Sequence, residues 1–460
     1  MGRQGASGPR ALLVLAAAVF AVSGSASGQA QPPWAQPFQM AVSQLRSGQT
    51  ATAIQNFNLL WKANSNDAQL AAWIGASLDA TSHHKEATPW YQRSLAIRPD
   101  FQPALNDLAL NYATLGEFRK AEPLLREASR LNPSNTHAAY NLGLIALRLR
   151  NYAEAADAFD QARRSGNVAV SPDQVNLAEA TARFHLREYG EAAMLLESVR
   201  SRRNSGYLLF LGSAQALSGD LPSAIKTLQQ AVTSAPSDPQ VYYRLALVFM
   251  LGRLDREARN VLAAGLKQIP NSPLLLLAEA VSEDTQGRLE HAIALTKQSL
   301  NANPRQAQTW ALLGRLYGEK GETEDALKAY ERGLALGADA ESGVDRVQLL
   351  IRTQRFLQAE ADLRDLAKHY PNNASVDRGF GKLYREERKF DSAEKYIRHA
   401  ILLDPDNAEA HFALAEVLRL TQRTDEARKE LAIFKSKKPD RDAKRLLELA
   451  ANSTSGMELR

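Results

Sequence analysis

The stretch AQTWALLGRLYGEKGETEDALKAYERGLALGA, residues 307–338, decides the fold. Trp310, Leu313, Gly314 and Tyr317 follow one another at intervals of three, one and three, which puts them on one face of a helix. Gly321 then ends that helix, because only glycine takes up a left-handed cap without strain. Ala326, Tyr330 and Gly333 line the facing side of a second helix. Gly314 and Ala326 are small so that two backbones can approach; Trp310, Tyr317 and Tyr330 are large and fill the gaps to the neighbouring pairs.

The same pattern repeats along the chain. Alanines recur every thirty-four residues at Ala53, Ala87, Ala121 and Ala155, and again at Ala224, Ala258, Ala292 and Ala326. The beat slips by one residue to Ala359, Ala393 and Ala427. Prolines fall twelve residues after most of these alanines, at Pro99, Pro133, Pro236, Pro270, Pro304, Pro371, Pro405 and Pro439. Each lacks an N–H donor and so cannot extend the second helix. Asp100, Asn132, Asn303, Asp404 and Asp406 beside them supply turns and caps. A fixed period of this kind predicts an all-α solenoid of stacked helix-turn-helix pairs.

These residues resemble the tetratricopeptide repeat, whose pattern orders Trp, Leu, Gly, Tyr, Ala, Phe, Ala and Pro within thirty-four positions. Here that order reads Leu105, Leu108, Ala109, Tyr112, Ala121, Leu125, Ala128 and Pro133. It recurs as Ala139, Leu142, Gly143, Ala146, Ala155, Phe159 and Ala162, and as Tyr242, Leu245, Ala246, Phe249, Ala258, Leu262 and Pro270. About twelve copies stand in phase over residues 34–441, and no particular subfamily is marked. The resemblance implies a right-handed superhelical solenoid, and a non-catalytic scaffold that binds protein or peptide partners on a concave face lined by first helices.

The expected organisation is a signal peptide at 1–30, repeats one to four at 34–167, and an irregular junction with repeat five at 168–204. Repeats six to twelve follow at 205–441, with a capping helix and tail at 442–460. The beat breaks through Ser165–Pro172, and the fifth copy carries Glu179 and Arg183 where Leu and Tyr are usual. A hinge or change of pitch and an ordinary drifted repeat both fit that break.

At the N-terminus, Arg3 and Arg10 precede an apolar run from Ala11 to Val22 and a small-residue stretch from Ser23 to Ala30. That is the order of an export signal. The run is shorter than the ~20 residues a membrane span needs, although an uncleaved anchor is the competing reading. The reading is of an exported protein, periplasmic or secreted, with no membrane span after signal removal. The chain has no cysteine, so disulfides, thiol chemistry and a lipidated cysteine are excluded. A net charge of +5 with interspersed signs argues against nucleic acid. No phosphate loop, nucleophile elbow or metal-binding histidine pair is present, so neither catalysis nor a cofactor is expected. His83 and His84 read as a solvated turn.

Candidate partner-binding residues come from first-helix positions expected to face inward. They are Asn106, Tyr140 and Asn141 early, Tyr243, Leu247 and Met250 in the middle, and Arg315, Arg378, Lys382 and Arg385 towards the end. The pattern suits a peptide with apolar side chains in the middle and acidic ones at the basic end. The alternative is that the apolar residues are core and the charges only solubilise the face. Within the family, a carboxylate clamp lacks its Lys/Arg partners after Asn106 and Asn141. The asparagine ladder of peptide glycosyltransferases is represented only by Asn141, against Asp107, Arg244 and Leu312 elsewhere.

Overall fold

The computed structural model describes residues 32–165, 170–200 and 204–437. The expected signal segment at 1–30, the capping helix at 442–460 and Pro439 lie outside them. Every element among the described residues is a helix, and the chain divides into two compact units between Asp220 and Leu221.

The first unit holds α1 (Ala35–Arg46), α2 (Thr50–Ala63), α3 (Ala68–Ala80), α4 (His84–Ile97), α5 (Gln102–Thr114) and α6 (Phe118–Leu131). It continues through α7 (Thr136–Arg148), α8 (Tyr152–Arg164), α9 (Pro172–His185), α10 (Tyr189–Ser198) and α11 (Ser205–Ser218). The second unit holds α12 (Leu221–Ser234), α13 (Pro239–Leu251), α14 (Asp255–Gln268), α15 (Pro273–Thr285), α16 (Leu289–Ala302) and α17 (Ala307–Lys320). It ends with α18 (Thr323–Ala335), α19 (Ala340–Arg352), α20 (Phe356–His369), α21 (Ala374–Glu386), α22 (Phe390–Leu403), α23 (Ala408–Leu420) and α24 (Thr424–Lys437). Each unit is an all-α solenoid in which every helix packs on its sequence neighbours.

The small positions explain the close packing within each pair. The periodic alanines from Ala53 to Ala393 have no exposed surface. A Cβ on Gly314 would lie 2.8 Å from the Tyr330 ring, and one on Gly143 would lie 2.5 Å from Phe159. Gly321 takes the left-handed conformation expected of it, with φ 89°. The prolines at 99, 133, 236, 270, 304, 371 and 405 each stand two residues past a helix end.

Turns and caps divide the polar work differently from expectation. The side chains of Asn132, Asn303 and Asp404 accept from the backbone N–H two residues on and shape the turn. The side-chain caps themselves fall a few residues later, on Asp67, Asn135, Asp238, Asn373 and Asn407, because those residues directly precede the first helical turn.

The fifth pair is irregular in a definable way. α10 spans 10 residues, against 12 to 14 in the other helices described. Glu179, where a leucine is usual, is buried and accepts from Arg163 Nε at 3.1 Å and Arg183 Nε at 2.9 Å. An ion-pair triad thus replaces an apolar contact between α8 and α9.

Candidate interaction surface

In the first unit the polar first-helix residues Asn106 and Asn141 form a hydrogen-bonded chain from one pair to the next. Asn141 on α7 donates from Nδ2 to Asn106 Oδ1 on α5 at 3.2 Å. Asn106 in turn donates to Asp107 Oδ1 at a long 3.5 Å. The Asn141 Oδ1 acceptor is buried and has no hydrogen-bond partner among the described residues. Burial pushes the half-buried Asp107 carboxyl up to about 7, with the nearby Asp79 carboxylate adding to the shift and the Asn106 hydrogen bond opposing it. Tyr140 belongs to the core: it is 6% exposed and packs on Phe159 at 5.6 Å between ring centroids.

Beside this chain lies a second buried network that sequence reasoning missed. Asp79 Oδ1 accepts from Asn111 at 2.6 Å and pairs with His84 Nδ1 at 2.8 Å, while Oδ2 accepts from the Tyr91 hydroxyl at 3.0 Å. Burial raises the Asp79 carboxyl, and these hydrogen bonds partly offset the rise. His83 and His84 are therefore not a solvated turn. His84 is tied to Asp79, and His83 bridges Thr50 at 3.2 Å and Thr81 at 3.1 Å. The carboxylate that holds His84 sits five residues earlier in the sequence, at the end of α3, where helix periodicity alone assigns no role.

In the second unit the middle positions have almost no accessible surface. Leu247 is 0% exposed, Met250 3% and Tyr243 4%, within a run from Val241 to Met250 that is buried throughout. These side chains are core, and a partner could reach at most an edge of Tyr243 or Met250. Desolvation raises the Tyr243 phenol well above its ordinary value.

The stripe that reads as basic is an ion-pair ladder. Arg315 on α17 donates to Asp284 on α15 at 2.6 Å and to Glu319 at 2.7 Å. Arg378 on α21, with 1% of its side chain exposed, donates to Glu341 on α19 at 2.6 Å and pairs with Glu409 on α23. Arg385 pairs with Glu416 on α23 and with Glu386 at 2.6 Å. Half-buried Lys382 lies between the two arginines and donates to Gln348 at 3.3 Å. Burial pulls its ammonium down to about 8, and repulsion from Arg378 and Arg385 adds to the drop. Burial also holds Arg378 down, to about 10. An incoming carboxylate would have to displace internal ones, so the ladder presents little free positive charge.

No helix among the described residues is long and apolar enough to cross a membrane. Among those residues no cluster of side chains has the make-up of a metal site.

Comparison with known proteins agrees with this geometry. Tetratricopeptide-repeat families match residues 106–169, 177–239 and 384–450, and the family described as ChAPs (Chs5p-Arf1p-binding proteins) matches 223–332. The BBSome complex member BBS4 of Bos taurus is 25% identical over 312 residues, covering 64% of this chain and 56% of that protein. The cellulose synthase operon protein C of Escherichia coli (strain K12) is 25% identical over 208 residues, covering 44% of this chain and 17% of that protein. The chain thus spans little more than half of the first of these relatives and a sixth of the second. A solved structure of Naa15/Naa10 bound to HypK-THB aligns over 87% of this chain and 67% of that one, with 16% identity and a TM-score of 0.42. The small-residue register, the stacked helical pairs and the matched segments together make this chain a tetratricopeptide-repeat protein.

Proposed function

We propose that this chain is a non-catalytic, exported scaffold that holds peptides or envelope proteins on the inner face of its first helices. The observation that carries this is the Asn141–Asn106–Asp107 chain. It is polar, it runs between repeats, and it is left with a buried orphan acceptor and a carboxyl pushed up to about 7. Stacking alone does not need such groups, since buried polar atoms without partners cost stability. A partner's backbone N–H or cationic group would meet that capacity. Tetratricopeptide repeats as a family present protein-binding surfaces, and the Arg3-to-Ala30 segment has the order of an export signal.

In-cell crosslinking of the tagged, full-length protein with mass spectrometry of the captured proteins tests this. Discrete envelope proteins captured by the wild type and lost in an Asn106→Ala/Asp107→Lys double variant with unchanged melting support it. Capture of cytoplasmic proteins alone, or capture indifferent to the double variant, rejects it.

A second reading is a repeat subunit of a polysaccharide synthesis or export complex. It is favoured by the likeness to the cellulose synthase operon protein C of Escherichia coli and, at 23% identity over 274 residues, of Pseudomonas fluorescens. Co-purification with a glycan synthase in place of other envelope proteins would select it.

A further inference from the structure

The second unit carries a groove of about 480 Å³ that the inner-face reading does not use. It runs between α16 and α18, over α17. Its floor is apolar: Leu300 on α16, and Trp310, Leu313 and Tyr317 on α17. The last three stand at i, i+3 and i+7 and so share one face of α17. Arg315, two residues from both Leu313 and Tyr317, points to the other side, where it joins the ion-pair ladder. The groove is therefore a separate surface from the inner stripe.

The floor is fixed in place. Trp310 donates its indole N–H to the Pro304 carbonyl at 2.9 Å, which holds the half-buried ring in one orientation. The Lys297 ammonium lies 5.3 Å from the Tyr317 ring centroid, within range of a cation–π contact.

The rim is cationic. Lys297, Lys328 and Arg332 line it together with a single acid, Asp325. Asp325 pairs with Lys328 at 3.5 Å, with both side chains exposed, so that pair contributes little. Lys297 and Arg332 have no carboxylate partner among the described residues, in contrast to Arg315 on the far side of α17 and to Arg378 and Arg385 on α21.

We propose that this groove docks an amphipathic segment of a partner protein. The segment seats a bulky apolar side chain against the half-buried Trp310 ring and places an Asp or Glu, one helical turn away, against Arg332 and Lys297. Charge complementarity selects this occupant. A neutral oligosaccharide would find the Tyr317 face covered by an ammonium, the Trp310 donor already used, and two cations left unpaired. A carboxylate answers both cations, and an apolar anchor covers the floor.

The test uses full-length protein carrying 5-fluorotryptophan at its five tryptophans, with the Trp310 resonance assigned through Trp310→Phe. The probe is a capped, helix-prone peptide of about twelve residues with leucine and glutamate four apart, compared with its lysine counterpart. The expected result is a shift of the Trp310 resonance that saturates with the glutamate peptide and is at least about tenfold weaker with the lysine peptide. Arg332→Glu, at an exposed position, brings the rim to no net charge and should abolish that preference while leaving melting unchanged. A silent Trp310 resonance, equal response to both peptides, or a response to cello-oligosaccharide without one to the glutamate peptide would each overturn the proposal. Binding here goes beyond the inner-face scaffold reading, and the two fail separately, because the Asn106/Asp107 variant leaves this groove intact.

Discussion

The two units use the same helical pair but finish the polar positions of its first helix with different chemistry. In the first, neutral amides pass a hydrogen bond from α7 to α5 and end on a weakly partnered carboxyl. In the second, arginines reach backward and forward to carboxylates on α15, α19 and α23. The pairing distance in sequence is almost the same in both: 35 residues for Asn141 to Asn106, 31 for Arg315 to Asp284 and for Arg385 to Glu416, and 37 for Arg378 to Glu341. A solenoid places residues one period apart side by side, so its first-helix positions can be knitted together or left without a partner while the core stays the same. At these first-helix positions the first unit leaves the Asn141 acceptor without a hydrogen-bond partner among the described residues, whereas Arg315, Arg378 and Arg385 of the second each pair with carboxylates.

If the shared scaffold is the same in both, equivalent small positions should respond alike. Ala121→Arg and Ala326→Arg each put a long cation where no surface is exposed. Overpacking and an uncompensated buried charge together should cost ~5 kcal/mol or more in either unit. Urea unfolding followed by circular dichroism measures it. Unchanged melting at either site would place that alanine outside the contact between paired helices.

The next largest difference should appear at the ladder. Arg378→Ala removes the buried cation that Glu341 and Glu409 share and should destabilise the second unit by about 3–5 kcal/mol. Arg378→Met combined with Glu341→Gln and Glu409→Gln removes the charges together and should recover most of that loss. A mild effect of Arg378→Ala would mean that the ladder is solvated and its arginines are available to ligands after all.

Acidity should separate the units further. The Asp107 carboxyl sits near 7 against an ordinary 3.8, so the native state holds its proton more tightly than the unfolded chain does. Its contribution is most favourable below about pH 4 and is lost as pH rises to 7. Lys382 behaves in the opposite sense: its ammonium is lowered from 10.5 to about 8, so the native state gives up the proton first. Stability in the second unit should therefore rise between about pH 8 and 10.5. Both groups are partly exposed, which reduces each effect to ~1–2 kcal/mol. Urea midpoints against pH for the wild type, Asp107→Asn and Lys382→Met would show each slope flattening in its own window.

The core was legible because helix packing imposes size on fixed positions. Ala326, Gly314 and Tyr330 could be assigned from spacing alone, since a large residue at the small positions would collide. The inner face was less legible because charge carries no such constraint. Arg378 reads as a free cation until Glu341 and Glu409 are counted one period to either side. Leu247 and Met250 read as a binding stripe, yet they are buried with the rest of α13. Scanning each candidate for a complementary group about one period away would have found the ladder. The Asp79–His84 network needs a different signal, because its members come from three successive helices at offsets of 5, 12 and 32 residues.

The smallest expected effect is the most informative about binding. Asn141 makes one hydrogen bond to Asn106 and buries an acceptor with no partner, so its amide gains little for the fold. Asn141→Leu removes the orphan acceptor along with the bond and should change stability by about 1 kcal/mol or less. Asn106→Leu/Asn141→Leu removes both ends of the bond and should be no less stable than the single variant. If these variants melt like the wild type but lose captured proteins, the amides serve a ligand, as the proposed function requires. If Asn141→Leu instead costs several kcal/mol, the amide is part of the framework. The amide chain of the first unit would then be as structural as the ion-pair ladder of the second.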